Sequence, residues 1–131
     1  MRYEKNLQTV YENARQFLLK ALHLRHISGR AGRLEDESRN IKDYRAVFVF
    51  KLEDAEKIRD LERLLENIDY NIGIEFKVKK YDFANIPKND LWSLVLISSL
   101  EKPAEQEKQL VRALNELCKI LEKTYFKSRR S

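Results

Sequence analysis

Cysteine, proline and glycine are scarce in this chain, with one cysteine, two prolines and three glycines among 131 residues. A single thiol excludes an intrachain disulfide, and with it the stapled scaffold common among small secreted domains. So few chain breakers exclude collagen-like, linker-like and low-complexity architectures. Long apolar runs are absent as well. The richest, Leu91 to Leu100, is interrupted by serines and closed by Glu101, short of the roughly 18 apolar residues that mark a bilayer span. The first residues, Met1-Arg2-Tyr3-Glu4-Lys5-Asn6, carry charge where a secretion signal would be apolar, so a cytoplasmic location is expected and no membrane partner.

What is present is a core and an excess of positive charge. Hydrophobic residues make up 43% of the chain and charged residues 36%, enough apolar side chain for one compact α+β domain over 1–131. Lysine and arginine number 26 against 21 acidic residues, a net charge of +5 that is unevenly spread. From Asn13 to Leu34 there is no acidic residue, while Arg15, Lys20, Arg25, Arg30 and Arg33 fall within that stretch. Near the end, Lys119, Lys123, Lys127, Arg129 and Arg130 outweigh Glu122. Two basic segments at opposite ends of the chain would make one basic pole if they met in space.

Periodicity orders the elements. Tyr3, Leu7, Val10, Tyr11, Ala14, Phe17, Leu18, Ala21 and Leu22 recur at intervals of three and four, which predicts a helix over 3–27 stopped near Ser28-Gly29. The segment 28–44 holds two glycines and a dense set of charges between Glu35 and Asp43, and reads as an exposed, mobile loop. Arg45 to Leu52 is apolar on both alternating faces, as a covered strand should be. Asp54 suits the cap of a second helix with Ile58, Leu61, Leu65 and Ile68 on its inner face. Ile74, Phe76 and Val78 alternate with polar residues in a second strand, a connection runs through Asn85 to Asp90, and Leu91 to Leu100 forms a third strand. Pro103 fits the first turn of a last helix carrying Leu110, Leu114, Leu117 and Leu121. The order helix, strand, helix, strand, strand, helix predicts a small three-stranded antiparallel or mixed sheet packed by helices, a partial ferredoxin-like arrangement in which the third strand lies between the other two.

Chemistry is harder to find. The string Gly29-Arg30-Ala31-Gly32-Arg33 resembles the last conserved motif of DExH-type helicases over five residues. The length of the chain and the lack of a glycine-rich phosphate loop exclude that family. The residues themselves put two arginines on a loose backbone suited to phosphate, or form a plain solvated turn. His23 and His26, three apart, are expected on one helix face with Glu12 and Gln16. They lack a third partner for a metal, and serve either as exposed histidines or as the acid and base of a small ribonuclease with Arg30 or Arg33 on the phosphate. Phe48 and Phe50 beside Arg45 have the alternation of sheet-based RNA readers without their glycines, so core packing is the expectation. Cys118 shares a helix face with Leu114, Leu117 and Leu121 and is expected in the core.

The functional expectation is a basic, non-enzymatic accessory protein without a cofactor or metal. It contacts nucleic acid, RNA or a nucleoprotein, through Arg15, Lys20, Arg25, Arg30, Arg33, Lys119, Lys123, Lys127, Arg129 and Arg130. The alternatives are a protein-interaction module, such as a complex subunit, antitoxin or inhibitor, and the ribonuclease of His23 and His26. A homodimer follows if the first helix leaves one face of the sheet uncovered.

Overall fold

A computed structural model describes residues 3–36, 41–72, 75–80, 91–98 and 100–126. The described chain is an α+β layer pair. Its elements are α1 (Leu7–Ala21), β1 (Ala31–Asp36), β2 (Ile41–Lys51), α2 (Ala55–Ile72), β3 (Glu75–Lys80), β4 (Leu91–Ile97) and α3 (Pro103–Leu121), followed by a π-helical turn, Glu122–Phe126. The strands form one four-stranded antiparallel sheet in the order β1-β2-β4-β3.

The three strands expected are present in the expected order, with β4 between β2 and β3. The fourth strand is new. Residues 31–36 and 41–44, read as part of an exposed loop over 28–44, instead form strand pairs, Ala31 with Ala46 and Arg33 with Tyr44. Tertiary context overrides composition here, because a charged strand can lie on the sheet edge while Ala31 is buried against the core and Arg33 stays exposed. The run β2-α2-β3-β4-α3 follows a ferredoxin-like order, and the place beside β2 is filled by β1 from earlier in the chain.

All three helices pack on the same face. Ala46, Phe48 and Phe50 of β2 and Leu94 and Leu96 of β4 share one core with Leu7, Val10, Ala14 and Leu18 of α1, Ile58, Leu61 and Leu65 of α2, and Leu110, Leu114 and Leu117 of α3. Helix α3 lies between α1 and α2, above β2, with α1 over β1 and α2 beside β3. Phe48 is fully buried and stacks on Tyr11 with ring centroids 4.6 Å apart, so the two strand phenylalanines are core residues. Cys118 is buried among these leucines, as expected, and its burial pushes the thiol up to about 12.

The opposite face carries Val47, Val49, Leu91 and Val95, which are half-buried and stand outside that core. Ile97 at its border is 7% exposed. Arg45 and Asp43 form an ion pair of 2.7 Å on the same face. Among the described residues no helix is long and apolar enough to cross a membrane. The connection through Asn85 to Asp90 lies outside the described residues.

Candidate nucleic-acid interface

The site begins where α1 ends. Asn6 caps the start of the helix by accepting from the Thr9 amide at 3.0 Å, and the helix closes at Leu22, well before the expected stop at Ser28-Gly29. The Leu24 amide donates to the Leu19 carbonyl at 2.9 Å and the His23 amide to that of Lys20 at 3.4 Å. This paired pattern is a Schellman stop, and its reversing residue needs a left-handed backbone. Here that residue is His23, with φ +54°, the one non-glycine residue with positive φ among the described residues. His23 and His26 therefore do not continue the helical face of Glu12 and Gln16. They sit in the turn that follows.

That turn is held by its apolar residues and displays its polar ones. Leu22 and Ile27 are each 2% exposed, whereas His23, Arg25 and His26 are exposed. Beyond it, Ser28 and Val49 exchange backbone hydrogen bonds of 2.9 and 2.8 Å, and the Val47 amide donates to the Arg30 carbonyl at 2.9 Å. Gly29 makes this approach possible. Its φ is +126°, and a Cβ there would lie 2.0 Å from the Val47 carbonyl oxygen. The string Gly29 to Arg33 is thus a seam along β2 leading into β1, in place of the loose backbone or solvated turn expected.

The seam sets the turn beside the end of β2 and leaves an open cleft of about 650 Å³. His23, Arg25 and His26 line one wall; Lys51, Glu53, Asp54 and Lys57 of the β2–α2 connection line the other. Asp54 is committed to capping α2, accepting from the Glu56 amide at 3.0 Å. Lys57 reaches across, its Nζ donating to the Leu22 carbonyl at 3.5 Å. Lys51 and Lys57 were not singled out in the sequence. One ended a strand and the other sat on a solvated helix face, and the available signal was their place on either side of a strand-to-helix turn.

The remaining expected residues are dispersed. Arg15 is held by Glu12 at 2.5 and 2.9 Å and donates to the Ile27 carbonyl at 3.4 Å. The hydrogen bonds from Arg15 and Gln16 hold the Glu12 carboxyl down to about 2. Arg30 is exposed on the seam, and Arg33 lines a separate cleft of about 350 Å³ with Lys5, Gln8, Tyr44 and Glu107. Phe17 packs on Phe126 at 5.6 Å, which brings the π-helical turn with Lys123 alongside the later half of α1, where Lys20 is exposed. Lys119 is exposed on the last turn of α3, while Lys127, Arg129 and Arg130 lie outside the described residues.

Among the described residues no three histidine, cysteine, aspartate or glutamate side chains converge to hold a metal ion. The cleft combines an apolar lining from Leu24, Val49, Phe50 and Leu52 with a polar one rich in N–H donors. Its polar lining comes from His23, Arg25, His26, Lys51 and Lys57, with Asp54 committed to the α2 cap and Glu53 as the other carboxylate. No family model, curated protein or solved structure matches this chain.

Proposed function

We propose that this protein contacts RNA through the cleft between the α1 stop and the β2–α2 turn. The observation that carries the reading is His23. A left-handed backbone costs an L-residue roughly 1–2 kcal/mol, which glycine avoids at a helix stop. A histidine at this position gives up that stability, and what it supplies in return is an imidazole in a cleft with Arg25, His26, Lys51 and Lys57. Cations and N–H donors of this kind suit the phosphate backbone, whose contacts dominate nucleic-acid affinity. His23→Gly tests the trade directly. The variant is expected to melt higher, by about 1 kcal/mol of added stability, and to bind mixed-sequence RNA several-fold more weakly. Higher stability with unchanged RNA affinity would count against the reading.

A second reading is favoured by the uncovered sheet face. Val47, Val49, Leu91 and Val95 form a half-buried apolar band that the helices leave alone. Such a band suits an interaction module whose partner is a second copy of the chain, two sheets meeting face to face about a two-fold axis. The two surfaces adjoin at Val49, which belongs to the band and also lines the cleft.

A further inference from the structure

We propose that the cleft also cleaves the RNA it holds, with His23 and His26 as the acid–base pair; this inference rests on the RNA-contact reading above. Two exposed imidazoles on one short turn, both lining one open cleft, supply the two proton-transfer groups that phosphodiester cleavage requires. One imidazole takes the proton from a ribose 2′-hydroxyl as its oxygen bonds to phosphorus. The other, protonated, gives its proton to the 5′ oxygen as the P–O5′ bond breaks. The products are a 2′,3′-cyclic phosphate and a free 5′-hydroxyl, with no water, oxidant or further reactant consumed. Negative charge gathers on the phosphoryl oxygens in the transition state, and Arg25 and Lys57, which line the same cleft, are the cations assigned to offset it.

Two features of the backbone fit this role. Lys57 bonds to the Leu22 carbonyl, so the cation from α2 is tied to the turn that bears both histidines. The Schellman stop fixes His23 by backbone hydrogen bonds on both sides, which limits where its imidazole can reach. The substrate class is RNA because the attacking group is the 2′-hydroxyl, which DNA lacks.

The experiment uses the full chain with end-labelled single-stranded RNA of mixed sequence in EDTA, beside DNA and 2′-O-methyl RNA of the same sequence. Retention on filters is measured in parallel. The expected result is fragments with 2′,3′-cyclic phosphate ends from RNA alone. The rate measured at saturating protein should fall by about 100-fold or more in His26→Ala and in His23→Asn, which tolerates the left-handed backbone, a larger loss than the several-fold weakening of retention expected in the same variants. Retained but intact RNA overturns the cleavage inference and leaves the contact reading standing. Absence of retention removes both. Cleavage that survives in the double variant, or that EDTA abolishes, also overturns the inference.

Discussion

Gly29 and Gly32 stand three residues apart in one string, both with left-handed backbones, yet they do different work. An added methyl at Gly29 meets the Val47 carbonyl oxygen at 2.0 Å, whereas at Gly32 the nearest atom is a flexible glutamine nitrogen at 4.0 Å. Gly29→Ala is therefore expected to cost about 3 kcal/mol or more in urea unfolding, against about 1–2 kcal/mol for Gly32→Ala, where only backbone strain remains. Tyr11 and Cys118 are buried acids whose ionisation opposes folding at high pH. Burial raises Tyr11 from 10.0 to about 12 and Cys118 from 9.0 to about 12. Their neutral forms are the native ones, so the stability they contribute is complete below pH 9 and is lost as pH rises toward 12. A thermal melt series from pH 8 to 12 should fall progressively above pH 9, and a flat series would contradict the burial of both groups. The core position of Cys118 was legible because apolar spacing reports burial directly. The role of His23 was not, since a stop of this type is ordinarily marked by glycine and the nearest one lies at position 29.

The elements were legible wherever a hydrophobic stripe repeats. The helices, the strands β2, β3 and β4 and their order follow from period and from the need to cover a sheet. Strand β1 was not legible, because Arg33, Glu35 and Asp36 look like loop residues and their pairing with β2 is a long-range fact. The ends of elements are tied by polar side chains that no pattern announces. Asn115 on α3 accepts from the Glu4 amide at 2.9 Å and donates to the Glu4 carbonyl at 2.8 Å, fixing the segment that leads into α1. It also donates to the Val111 carbonyl within its own helix at 2.9 Å. Asn115→Ala strands the Glu4 backbone groups and is expected to cost about 2 kcal/mol. Hydrogen exchange at the Glu4 amide should quicken in that variant far more than at Phe48, and equal acceleration at both would mean global loosening instead.

At the scale of the whole molecule, three helices on one face leave the other to solvent or to a second chain. The sequence already implied this choice, because two strands are apolar on both sides. Only the packing of α1 beside α3 decides which face stays open. Sedimentation at micromolar concentration is expected to give twice the 15.7 kDa chain mass, and Val95→Lys is expected to return the single-chain mass with the fold intact. A single-chain mass for the unaltered protein would sink the face-to-face dimer. The described residues of the expected basic pole are dispersed, because composition does not fix which of them meet in space. The cleft draws Arg25 from the expected set, takes Lys51 and Lys57 from the opposite wall, and leaves Arg15 paired with Glu12. The measurement that bears most directly on the central claim is the salt dependence of RNA binding. If Arg25, Lys51 and Lys57 meet three phosphates, counterion release gives a slope of about −2 in log affinity against log salt, a loss of roughly twentyfold between 50 and 200 mM. That slope should shrink by about 0.7 in Arg25→Ala. Binding that is absent, or that holds its affinity across that range, would contradict the account.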